Sequence, residues 1–200
     1  MGDATKFRRV LKTVTGAPAI DGAGVHLVRV IGNRDVKDFD PFLMLDAFDS
    51  VNPDDYVKGF PWHPHRGIET VTYLAEGEIE HGDSLGNRGA ILAGGCQWMT
   101  SGSGIIHQEM PKSAPRMLGL QLWLNMPANQ KMSDPAYRDL RRDLVPVVAE
   151  SGVRVSVISG EWRGQGGAMQ SEHAKASMFA LEIEPVPLFN EPEMRMPCSS

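Results

Sequence analysis

Long apolar runs are absent from this 200-residue sequence. No stretch approaches the roughly 18 residues that a membrane-spanning helix needs. The opening MGDATKFRRVLKTVTG holds no apolar core of signal-peptide length. Cysteine is nearly missing. Cys96 and Cys198 lie far apart and form no metal-ligand pair, which argues against a disulfide framework and against a thiolate zinc site. A dense basic face is missing too. The net charge is −5, and the nearest cluster, Arg138, Arg141 and Arg142, is interleaved with Asp139 and Asp143. A direct grip on nucleic acid needs a basic face. These absences point to a cytoplasmic protein that neither spans a membrane nor binds nucleic acid directly.

Turn formers are abundant instead, with 21 Gly and 14 Pro, which favours many short elements over long helices. Several short runs alternate with a period of two, as strands do. GVHLVRVIG (24–32) puts His26, Val28 and Val30 on one face, with Val25, Leu27 and Arg29 on the other. Both faces are mostly apolar, so the strand is expected to be covered on both sides, with Arg29 reaching out near its end. ETVTYLAEGEIEHGD alternates through Val71 and Tyr73, and SLGNRG (84–89) supplies turn chemistry. RMLGLQLWLNM (116–126) lines up Leu118, Leu120, Leu122 and Leu124. Only SDPAYRDLRRDLV (133–145) reads as helix, with Ser133 as N-cap and Pro135 in the first turn. The pattern predicts an all-β sandwich or barrel. Its parts are an N-terminal domain over 1–132, a helical connector over 133–148 and a shorter segment over 149–200. The proline-rich tail EPVPLFNEPEMRMPCSS reads as an irregular terminus.

The chemistry centres on FPWHPHRGIE (60–69). Side chains at i and i+2 share a strand face, so His63 and His65 project together and Pro64 turns away. Pro64 removes a ladder donor, which suits an edge strand or a strand start. Taken alone, the pair reads equally as a two-toothed metal grip and as two exposed polar residues near a turn. SGSGIIHQEMP (101–111) repeats the pattern with His107 and Glu109. A hairpin or two between the stretches can bring three imidazoles and one carboxylate together. That set holds no thiolate and suits Fe(II), Mn, Co, Ni, Cu or Zn. Four protein ligands on a six-coordinate ion leave two positions for water, O2 or substrate.

H-x-H-x3-E (His63, His65, Glu69) followed by G-x-x-H (Gly104, His107) resembles the two cupin motifs. More narrowly, HPHRGIETVTYLAEGEIEHGDSLGNRG, QWMTSGSGIIHQEMP, DPFLMLDAFD and LGLQLWLNMP are similar to the pirin family, over roughly residues 20 to 145. The resemblance implies a cupin double-stranded β-helix, a jelly-roll barrel, with the metal in the N-terminal domain. It implies His63, His65, His107 and Glu109 as ligands, and iron as the metal. Glu69 is then expected behind the ligands, orienting an imidazole or pairing with Arg66. Trp62 and Arg66 flank the motif and are expected at the pocket mouth, and Met110 is expected as a pocket wall. His81 and His173 read as surface residues, His26 as structural, and Trp98 and Trp123 as core.

Two functions follow from the resemblance. One is a dioxygenase that oxidises a flavonol such as quercetin with O2, with Glu109 as both ligand and catalytic base. The other is a non-catalytic, iron-dependent redox sensor that binds a protein partner, a transcription factor or a metabolic enzyme. Two departures from the family pattern stand out. Gly94-Gly95-Cys96 replaces the usual Pro-Gly-Asp, and Cys96 reads as a small buried residue. The second cupin is incomplete: VSVISGEWRG and SMFALEIEP resemble only its opening strands. Their open edges are left to dock on the first barrel, to pair with another subunit, or to mark a truncated chain.

Overall fold

The computed structural model describes residue 10, residues 12–34, residue 36 and residues 39–185. Most of the proline-rich tail, the first nine residues and Cys198 lie outside the described residues. In chain order the strands begin with β1 (Ala17–Asp21), β2 (Val25–Ile31), β3 (Phe42–Ser50), β4 (Phe60–His65), β5 (Ile68–Glu76) and β6 (Glu78–Asp83). Then come β7 (Arg88–Leu92), β8 (Cys96–Thr100), β9 (Ile105–Pro111), β10 (Met117–Asn125) and β11 (Ala136–Leu140). The last are β12 (Val147–Glu150), β13 (Val153–Ser159), β14 (Glu161–Trp162), β15 (Gln165–Gly166) and β16 (Met178–Ile183). The only helices among the described residues are short 3-10 turns. None is long and apolar enough to cross a membrane.

The expected all-β barrel is present. A seven-stranded sheet runs β1-β2-β3-β10-β5-β8-β11, and a four-stranded sheet runs β4-β9-β6-β7. Between them lies a core of Val25, Tyr56, Leu74, Ile79, Ile91 and Met117. SLGNRG closes the β6–β7 hairpin, with Gly86 at φ +92°, a conformation costly for other residues. Pro61 and Pro64 sit in β4, which is an edge strand as the missing donors require.

The helix expected over 133–145 is not formed. Its residues make β11, paired with β8 from Ala136 opposite Thr100 to Leu140 opposite Cys96, and then the 3-10 turn Arg142–Leu144. The reason is tertiary. β8 would otherwise be an open edge, and alternation lets Tyr137 and Asp139 bond inward while Leu140 packs outward. The strand β2 also departs from expectation. Its outer face is open, with Val28 at 41% exposure, and Arg29 faces inward, bonding Asp46 through Nε at 2.8 Å and Nη2 at 2.7 Å.

The C-terminal segment docks on the first barrel. Val145, Ile158, Met169 and Ala174 join Val71, Cys96, Trp98, Leu124 and Leu140 in one outer core. This covers the centre of the large sheet and leaves its β1–β2 end bare. Trp98 is core, as expected, at 1% exposure.

The pin of this interface is Glu69, which is fully buried. Its carboxylate accepts from Thr100 Oγ1 at 2.8 Å, from Ser171 Oγ at 3.0 Å and from the Ala174 amide at 3.2 Å. The role expected for Glu69 behind the metal ligands is therefore replaced. Alternation on β5 sends Glu69 and Val71 outward, and Thr70 and Thr72 inward.

Two consequences are measurable. Glu69→Ala strands two buried donors and the half-buried Ser171 hydroxyl, so unfolding free energy in urea should drop by about 3 kcal/mol, and limited proteolysis should release the C-terminal segment first. Cys96 is 2% exposed, and burial, with Asp139 adding, pushes its thiol up to about 12. Native protein at pH 8 should resist iodoacetamide at Cys96 and react once unfolded.

Candidate metal centre

β4 and β9 are antiparallel neighbours, and His63 stands directly opposite His107. Directly opposed side chains on adjacent strands lie about 5 Å apart. The pleat adds His65 on the same face as His63. The register shifts between Phe60 and His63, and this irregularity sets the face that His63 takes. Gly67 then adopts φ +70°, which turns the chain into β5 immediately after the motif. The result is a triangle of imidazoles with ring centroids 4.8, 4.5 and 4.9 Å apart. Their ligating atoms all lie within 4.8 Å of one another.

The nitrogen chemistry fits a cation. A carbonyl can only accept, so the 2.8 Å contact of His63 Nδ1 with the Pro61 carbonyl puts the proton on Nδ1. In the neutral form of that ring His63 Nε2 is the lone-pair nitrogen, and it faces His65 Nε2 at 3.0 Å. Two nitrogens each about 2.1 Å from one ion at a right angle would be about 3.0 Å apart. His107 is 1% exposed, and neither of its ring nitrogens has a hydrogen-bond partner. A buried polar atom without a partner costs about 1–3 kcal/mol, and a metal ion bound here would relieve that cost.

Burial pushes His65 down to about 4, with the neighbouring His107 and His63 adding to the shift. Burial likewise pushes His107 down to about 3, with His63 adding. Both imidazoles thus stay neutral and able to ligate well below pH 6.

Glu109 is buried at 2% and shares the inward face of β9 with His107. Its carboxylate is not within the triangle of ligating atoms. Oε1 accepts from Thr72 Oγ1 at 2.9 Å, and Oε2 accepts from Gln121 Nε2 at 2.7 Å. The structure thus brings together the three expected histidines and holds the expected carboxylate beside them.

A pocket of about 670 Å³ opens onto the triangle. Arg66 lines it. Trp62 and Met110 do not, because each alternates away from an inward neighbour, and Trp62 is 51% exposed. Met44, Phe60 and Trp123 are the apolar walls instead. Trp123 therefore faces the pocket rather than the core, with its ring 5.0 Å from that of His65. The signal for Trp123 and Gln121 was present: they are the odd positions of the Leu118–Leu124 ladder, and a leucine face given to one core sends them to the other side.

His81 was expected at the surface and is 5% exposed. Its Nε2 meets Asp139 Oδ2 at 3.1 Å, and its ring stacks on Tyr137. His173 bonds Gln130 at 3.0 Å, and His26 pairs with Asp55 at 3.3 Å.

Comparison with known proteins agrees with this geometry. The family profile described as Pirin matches residues 24–124. A Pseudomonas aeruginosa protein provisionally named a quercetin 2,3-dioxygenase is 56% identical over 185 residues, covering 90% of this chain and 65% of that protein. A pirin-like protein of Caulobacter vibrioides is 48% identical, covering 92% of this chain and 68% of that one. The chain thus spans about two thirds of the length of these relatives. The crystal structure of a quercetin 2,3-dioxygenase from Acinetobacter baumannii superposes with a TM-score of 0.69 at 32% identity, covering 79% of this chain and 58% of that one.

The histidine shifts predict how the metal-free protein responds to acid. Unfolded imidazoles protonate near 6.5, while the folded ones resist until about 4 and 3. Protons therefore favour the unfolded chain between these values, and stability falls as pH drops from about 6.5 to 4. The melting temperature of metal-free protein should decline across that window, and the slope should flatten in His65→Asn/His107→Asn.

Proposed function

Since the chain belongs to the pirin family, we propose that it is a metal-dependent dioxygenase acting on a flavonol such as quercetin. The observation that supports this reading best is the buried, partner-free His107 beside the facing nitrogens of His63 and His65, the two of the three that line an open pocket. His63, His65, His107 and Glu109 would hold the metal, with Fe(II) as the proposed ion; the N/O donor set also suits Mn, Co, Ni, Cu or Zn. Such an ion, when bound, supplies a site at which substrate and O2 can meet.

The chain's own residues do the rest. Met44, Phe60 and Trp123 offer apolar walls for a flat aromatic ligand. Thr72 and Gln121 fix the Glu109 carboxylate, so that it can accept a proton from a ligand hydroxyl at a defined place. The names of the Pseudomonas and Acinetobacter proteins favour quercetin as the first substrate to try.

Elemental analysis of chelator-free protein should find about one equivalent of metal, lost in His63→Ala/His65→Ala. Iron-loaded wild type should consume quercetin in air, and His107→Ala should lower the rate by at least about a hundredfold with the circular dichroism spectrum retained. Quercetin left untouched by fully loaded wild type would sink the dioxygenase reading.

A further inference from the structure

Gln121 is the one residue that both borders the ligand pocket and bonds Glu109 among the described residues. Its Nε2 spends its two donors inward, on Glu109 Oε2 at 2.7 Å and on Thr72 Oγ1 at 3.3 Å. The opposite orientation of the amide would set its oxygen against a carboxylate oxygen, so the bonding pattern assigns the nitrogen to that side. The carbonyl oxygen is then the polar atom that Gln121 has left for the pocket. Sequence explains why the residue stands there. Gln121 is opposite Asp46 on one neighbouring strand and opposite Thr72 on the other, in the middle of the large sheet. Thr72 lies behind it, at 1% exposure.

We propose that Gln121 is a two-faced positioning residue: its N–H side holds Glu109 beside the metal centre, and its carbonyl accepts a hydrogen bond from a ligand hydroxyl. The pocket therefore favours aromatic ligands that bring a donor over the same ring with its hydroxyls capped. A bound ligand and the Glu109 carboxylate share one amide, so the ligand's grip and the carboxylate's placement are coupled. This inference rests on the reading that the pocket takes a hydroxylated aromatic compound.

Two variants separate the two faces. Gln121→Met keeps the shape and loses both faces. Thr72→Val is close to isosteric and lies off the pocket wall; it loses one Glu109 bond and the longer Gln121 bond, while the Gln121–Glu109 bond and the Gln121 carbonyl stay in place. Each is loaded with Co(II). The visible absorption spectrum and a chelator competition report the metal's surroundings. Calorimetry with catechol and with its dimethyl ether, veratrole, reports the ligand preference.

Both variants should alter the cobalt spectrum and weaken Co(II) binding by about 10- to 100-fold. Only Gln121→Met should also lower the preference for catechol over veratrole, by about tenfold. Gln121→Asn keeps the amide one methylene short. It should shift both readouts in the same direction, and it covers the case in which the methionine variant does not fold. A wild-type cobalt spectrum in Gln121→Met overturns the inference. So does an unchanged catechol preference, or a wild type that prefers neither ligand. Failure of the dioxygenase reading would instead appear as absent quercetin turnover, which none of these measurements uses.

Discussion

A strand can send side chains to only two faces, and in this fold both faces of the central strands are occupied. On β5, Glu69 and Val71 face the C-terminal segment, while Thr72 and Leu74 face the barrel interior. On β10, Leu122 and Leu124 pack outward, while Gln121 and Trp123 turn to the pocket. On β8, Trp98 packs outward and Gln97 bonds inward to Asp139. One sheet therefore serves as the wall of the histidine-lined pocket and as the floor of a second hydrophobic core. A shift by a single residue would exchange the two sets entirely. The outer core fixes the register, and the register fixes the site.

The inner face accumulates polar groups that a barrel interior would ordinarily refuse. Arg29, Asp46, Gln121, Thr72, Gln97 and Asp139 stand at matching positions across six adjacent strands. Asp139 keeps contact with solvent, and the rest are tolerated there because the members of the set satisfy one another and their inward neighbours: Arg29 with Asp46, Gln121 and Thr72 with Glu109, Gln97 with Asp139 and Tyr137. His107 stands apart among the described residues, because both of its ring nitrogens are buried without a partner. A bound cation could supply that missing interaction, since a neutral imidazole nitrogen is a metal ligand.

Much of this was legible in the sequence, and the part that was not has a common cause. Local alternation found the strands, the i, i+2 spacing found His63, His65 and His107, and the two motifs found the family. The failures lie where a residue's role depends on a strand distant in the chain. The 133–145 segment has good helix-start chemistry, yet β8 needed a partner and took it. Glu69 belongs to a cupin motif by position, yet its partners Ser171 and Ala174 are a hundred residues on. His81 reads as a surface residue, yet Asp139 and Tyr137 cover it. Propensity and spacing are local quantities, and none of them encodes which strand will lie alongside.

The docked C-terminal segment bears on the site through that same shared sheet. Glu69 and Thr72 are three residues apart on one strand, facing opposite ways. The backbone that Glu69 anchors on the outside is the backbone that presents Thr72 to Glu109 on the inside. A loosened outer core would free β5 and β8 to twist, and Thr72 would move relative to β9. Close packing transmits such shifts because neither core has slack to absorb them. The segment at the barrel's back thus does more than cover an apolar face. It is part of the framework that keeps a carboxylate beside three imidazoles, although no residue of it lines the histidine pocket.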